Sequence, residues 1–102
     1  MYARISRVRG DSQAMEAGLA HVRDTLMVQL QQLPGFRDAL LMIDREHGDA
    51  LAMTLWDSEE AMRASEERAD ALRSETATQM TATVSSVERF EIVARTTATA
   101  SG

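Results

Sequence analysis

Residues 35–60 constrain the chain most. Two largely apolar runs, 36–44 and 49–56, flank the turn Glu46-His47-Gly48-Asp49. Such runs split by a glycine turn predict a β-hairpin, with Gly48 at a positive φ. Two registers are open, pairing Asp44 with Asp49 or Glu46 with Asp49, and each opposes like charges. Alternation puts Leu40, Met42, Leu51, Met53 and Leu55 on one face. It puts Ala39, Leu41, Ile43, Ala50, Ala52, Thr54 and Trp56 on the other. Both faces are largely apolar, so the sheet must be covered twice. With 102 residues to work with, the second cover is expected from another copy of the chain. The bulkier face is assigned to the helices and the smaller one to the partner.

Around the hairpin, the pattern is regular. Residues 2–9 carry Ile5 and Val8 and predict a strand that Gly10 ends. Asp11 or Ser12 caps a helix over 12–33, where Met15, Leu19, Val22, Leu26, Leu30 and Leu33 form one stripe. Pro34-Gly35 stops it. Asp57 to Glu60 resembles a capping box, with Asp57 as N-cap and Glu60 reaching back. A helical region then runs to about residue 81 with a weak apolar face and an expected break near 66–70. Residues 84–94 predict the last strand, and 96–102 a flexible tail.

The order β-α-β-β-α-β is the split βαβ pattern. The expected fold is therefore α+β and ferredoxin-like: a four-stranded antiparallel sheet with both helices on one face, paired into a dimeric α/β barrel. One domain is expected over residues 1–95.

Composition mainly excludes. The net charge is −5 and the 11 basic residues, all Arg, are scattered, so neither nucleic acid nor an anionic membrane is expected as partner. There is no Cys, which removes disulfides, thiol nucleophiles and Cys-ligated metals. No His, Asp and Glu spacing matches a metal motif, so no metal is expected. No stretch has the length of a signal peptide's apolar core or a membrane span, and a cytoplasmic location is expected.

Several segments carry a family resemblance: Leu33-Pro34-Gly35-Phe36, the hairpin with its Gly48 turn, the run from Leu55 to Met62, and Glu88-Arg89-Phe90-Glu91. Over residues 2–94 the chain resembles the antibiotic biosynthesis monooxygenase family of the dimeric α/β-barrel superfamily. The resemblance implies a homodimer with a pocket between sheet and helices in each subunit. It also implies a possible cofactor-independent oxygenation of an electron-rich aromatic, such as a quinol or a polyketide phenol. The haem-degrading branch uses an Asn on the first strand, and a Trp and a His in the second helical region. This chain has no Asn, and residues 58–81 hold neither His nor Trp, so haem degradation of that type is not expected.

The pocket-lining candidates are Met15, Leu19, Met42, Met53, Trp56 and Arg4, the last to orient an oxyanion. Trp56 has a competing role as anchor of the strand-to-helix corner or of the dimer contact. Methionine suits flat apolar ligands but equally fills cores. His21 is placed at the edge or outside of the first helix's stripe, exposed, and His47 in the solvated turn. No catalytic residue stands out. The alternative to an oxygenase is a non-catalytic dimeric protein of the same fold that binds a small apolar or aromatic ligand, or a stress-associated accessory protein.

Overall fold

The computed structural model describes residues 1–98. Its strands are β1 (Tyr2–Gly10), β2 (Phe36–Asp44), β3 (Asp49–Trp56) and β4 (Ala82–Glu91). They form one antiparallel sheet in the order β2-β3-β1-β4, the ferredoxin-like arrangement. The first helical layer consists of α1 (Ser12–Ala17), α2 (Leu19–His21), a π-helical turn (Val22–Leu26) and α3 (Met27–Leu30). The second consists of α4 (Glu59–Ala64) and α5 (Glu66–Gln79). Residues 92–98 form neither helix nor strand, and 99–102 of the expected tail lie outside the described residues.

Local chemistry sets the element ends. The Asp11 carboxylate caps α1 by accepting from the Ala14 N–H at 3.1 Å. The cap of α4 is Ser58, accepting from the Ala61 N–H at 3.1 Å, rather than the expected Asp57. Asp57 instead pairs with Arg37 at 3.2 Å. The second helical region breaks at Ser65, just before the expected segment. The Ser65 hydroxyl donates to the Met62 carbonyl at 2.7 Å, competing with the helical ladder there.

The hairpin takes the register that opposes Asp44 and Asp49. Each carboxylate has its own partners. Asp44 accepts from the Glu46 and His47 backbone N–H groups and lies 2.8 Å from His47 Nδ1. Asp49 pairs with Arg9 at 3.1 Å. Gly48 has φ +69°, and its carbonyl accepts from the Gly10 N–H at 3.0 Å. An added Cβ there meets the Gly10 carbonyl. Gly48→Ala is expected to destabilise by about 1–3 kcal/mol from backbone strain alone, read as a lower urea midpoint at unchanged slope.

The face assignment is corrected. Val8, Met15, Val22, Ala50 and Met80 form the core cluster, with Leu41, Ile43 and Val84 packed against it. The smaller hairpin face therefore meets the helices. The bulkier face is bare, with Leu40 and Met42 43% and 44% exposed. The helices bring their own bulk through Met15, Val22, Leu72 and Met80, so the sheet beneath them needs small side chains. Phe90, half exposed on β4, extends the bare apolar surface.

Candidate functional site: a cavity with a cationic end

A cavity of about 70 Å3 lies between the sheet's inner face and the helices. Its floor includes Arg4, Ser6 and Val8 of β1, Ala39 and Leu41 of β2, and Ala52 and Thr54 of β3. The small side chains at 6, 39, 52 and 54 are what leave the space. Leu26, Met27 and Leu30 close it on one side, with Leu26 the last residue of the π-helical turn. An extra residue in a helical turn re-aims the side chains that follow.

The remaining wall is α5 and the residue after it. Ala69, Leu72, Arg73, Thr76, Ala77 and Met80 line the cavity at spacings of three, one, three, one and three, a single helical stripe. Counting only apolar residues makes this face look weak, because Arg73 and Thr76 occupy two of its inner positions. Their spacing from Leu72 and Met80 is the signal that places them inward.

Of the six candidates, Arg4 and Met53 border this cavity, Met53 from a strand position that alternates onto the bare face. Met15 does not: it is fully buried in the core cluster. Leu19 borders a separate surface depression with Arg23 and Ile43. Met42 stands on the bare face, so the grouping of Met42 with Met15 in the helix–sheet layer is overturned. Trp56 is fully buried at the corner between β3 and α4. Its Nε1 donates to Thr54 Oγ1 at 3.0 Å, and Phe36 meets it edge-on at 5.6 Å. The Arg4 guanidinium lies 5.4 Å from its ring centre.

His21 is also corrected. Its side chain is 17% exposed and faces Glu75 of α5 at 3.9 Å, because α5 packs across that edge of the first helical layer. His47 stays in the exposed turn. Neither histidine lines the cavity, so a haem iron finds no imidazole on its wall. Among the described residues, no three His, Asp or Glu side chains are grouped to hold a metal. No helix of the described residues is long and apolar enough to cross a membrane.

Electrostatics concentrate at one end. Arg4 is 3% exposed. Its Nη2 donates to the Met62 carbonyl at 2.7 Å and the Ser65 hydroxyl at 3.1 Å, and sits 3.1 Å from Glu66. Burial lowers the Arg4 pKa, and Glu66 partly opposes that. Arg73 donates from Nε to Ser6 Oγ at 3.1 Å and from Nη1 to Asp70 at 2.9 Å. Three buried polar atoms on this wall have no partner: Arg4 Nε, Arg73 Nη2 and Thr76 Oγ1. Leaving a buried polar group unpaired costs about 1–3 kcal/mol, and more when it is charged.

Glu66 ties this end together. Arg89 of β4 binds it through Nε and Nη2 at 2.6 and 2.7 Å. The Arg89 hydrogen bond, with Arg4 adding to it, holds the Glu66 carboxyl at about 2 against an ordinary 4.5. A lowered carboxyl pKa stabilises the fold above about pH 4.5, and that contribution fades as pH falls toward about 2. Glu66→Gln is therefore expected to lower Tm most above pH ~4.5. The gap to wild type should close by about pH 2 in thermal melts across that window.

With this geometry in hand, the comparisons with known proteins place the fold. A crystal structure of a monooxygenase from Streptomyces coelicolor, ActVA-Orf6, in complex with nanaomycin D superposes with a TM-score of 0.67. Identity is 13%, covering 98% of this chain and 92% of that one. The heme-degrader MhuD from Mycobacterium tuberculosis, with two hemes bound in its active site, gives 0.74 at 20% identity, covering 95% and 100%. A dimeric ferredoxin-like protein from an uncultured marine organism gives 0.68 at 13% identity, covering 95% and 98%. The fold is that of the antibiotic biosynthesis monooxygenases.

No family model matches the chain. In sequence it is 36% identical over 94 residues to the uncharacterized protein Rv2557 of Mycobacterium tuberculosis, covering 92% of this chain and 42% of that protein. It is 37% identical over 92 residues to Rv2558 of the same organism, covering 90% and 39%. The chain thus spans less than half the length of these curated relatives.

Proposed function

We propose that two copies of the chain close a barrel through their bare sheet faces. In each copy, the cavity then takes an electron-rich aromatic, a quinol or polyketide phenol, for monooxygenation without a cofactor. The observation that carries this reading is an apolar cavity with a buried cation, Arg4, on its wall. Such chemistry draws its electrons from the substrate. For an anthrone-like methylene, dioxygen supplies the new carbonyl oxygen, and its second atom leaves as water with both methylene hydrogens. The protein has to favour the substrate anion and keep water out. A guanidinium in an apolar wall does the first, and close packing the second. Support for the fold's general kind of function comes from the ActVA-Orf6 structure, a monooxygenase holding nanaomycin D.

A second reading rests on the same wall. Among the described residues, its only ionisable side chains are Arg4 and Arg73, and none of those residues brings it a group suited to act as a base near neutral pH. That favours a dimeric protein that binds such a ligand without transforming it. Oxygen uptake with a panel of quinols and anthrone-like phenols, with nothing else added, separates the two. The oxygenase reading expects one dioxygen consumed per methylene oxidised. No uptake above background across the panel removes it and leaves the binding reading.

A further inference from the structure

The unpartnered atoms define a ligand class more narrowly than the cavity's apolar wall does. We infer that Arg73, Thr76 and Arg4 form an oxyanion site at the cavity's end, sized for a single-ring acid whose ring lies among Leu30, Leu41 and Met80. This deepens the reading of the cavity as a small-molecule site and rests on it, but not on any oxidation.

Among the described residues, Arg4, Arg73 and Arg89 meet only Glu66 and Asp70, so the cluster there keeps one positive charge without a counter-charge. Glu66 is already engaged by both Arg4 and Arg89. Asp70 is 73% exposed and shared with solvent. The missing negative charge belongs beside Arg4 Nε and Arg73 Nη2, buried atoms of two cavity-lining residues that have no acceptor. Two guanidinium donors from different elements, and a hydroxyl on the same wall, suit an oxygen with more than one lone pair to share.

Geometry agrees. Arg73 is held by bonds to Ser6 and Asp70 that leave Nη2 without a partner, so the guanidinium's position is set before any ligand arrives. Thr76 lies three residues along α5 on the same inner stripe. At about 70 Å3 the space is below the range of ordinary drug-sized pockets, so a single ring enters it with less opening of the wall than a fused polycycle requires. Leu26 and Met27, which close one side of it, are only partly buried.

Carboxylates and phenolates share this chemistry, and the test carries both. Benzoate, 4-nitrophenol and benzene are titrated against the full chain by calorimetry, and 4-nitrophenol also by its visible band. Wild type should bind benzoate or 4-nitrophenolate at least tenfold more tightly than benzene. Which of the two is preferred tells carboxylate from phenolate. Bound 4-nitrophenol should ionise at a lower pH than free. Thr76→Val, which keeps the side chain's shape, and Arg73→Met should each lose at least tenfold in anion affinity. Benzene affinity should stay within threefold. Thr76→Val should also raise Tm without ligand, since it removes an unpaired buried hydroxyl. Should Arg73→Met fail to fold, Thr76→Val decides alone. Unchanged anion affinity in the folded variants overturns the site, as does benzene binding as tightly as benzoate, or no binding of either anion. Anion binding without oxygen uptake sinks only the oxygenase reading.

Discussion

Trp56→Ala is expected to remove a large share of the fold's stability. Trp56 is the only Trp and is fully buried. Removing it opens a void at the corner where β3 hands over to α4. It also strips Phe36 of its edge contact and the Arg4 guanidinium of its neighbouring ring. Truncations of this kind cost about 3–5 kcal/mol. A domain of this size holds about 5–15 kcal/mol in total. With roughly 4–8 °C of Tm per kcal/mol, the melt should fall by at least about 12 °C. Trp56→Phe keeps most of the packing and loses only the Thr54 hydrogen bond and part of the ring, so its loss should be less than half as large. Circular dichroism melts of the three proteins check the order. A loss below ~1 kcal/mol for the alanine variant contradicts the anchoring role.

The second large effect concerns association rather than folding. Equilibrium sedimentation should show a dimer at micromolar concentration. Met42→Glu should make it monomeric with its melt little changed. Met42 is 44% exposed in the single chain, so a carboxylate there costs the monomer little. Against a second copy the same carboxylate is buried without a partner, at about 3–5 kcal/mol. Twofold symmetry places the change on both sides of the contact. At 1.4 kcal/mol per tenfold, Kd should rise by about a hundredfold or more. A wild-type monomer, or a variant that dimerises as well as wild type, rules out the bare face as the contact.

Much of the architecture is legible in the residues, for reasons that are local. Gly48 marks its turn because a positive φ costs other residues more. Asp11 and Pro34-Gly35 bound the first helical layer, and four apolar runs at strand spacing leave one simple topology. Alternation also sorts the hairpin correctly into two sets. It says nothing of which set the helices cover. Bulk is a poor guide there, because Met15, Leu72 and Met80 fill the layer from the helical side.

The site was less legible. Arg4 is visible as a charge among Ile5 and Val8, and it does border the cavity. Arg73 and Thr76 are hidden by the habit of reading polar residues on a helix as its wet face. Here they sit on the dry one. The π-helical turn at 22–26 has no signature in Val-Arg-Asp-Thr-Leu that separates it from ordinary helix.

The pairing of β1 with β4 has a consequence for how the chain is made. These strands lie more than 70 residues apart, yet Tyr2 faces Glu91 and the Ile92 N–H reaches the Met1 carbonyl at 2.8 Å. During synthesis, β1 can find β3 early, but its other edge stays open until residues 82–91 have left the ribosome. For that interval the nascent protein presents an unpaired strand to the crowded surroundings, the kind of edge that recruits neighbouring chains. Folding speed is then governed by the last strand to arrive, and stalls or truncations before residue 82 should aggregate rather than linger as soluble intermediates.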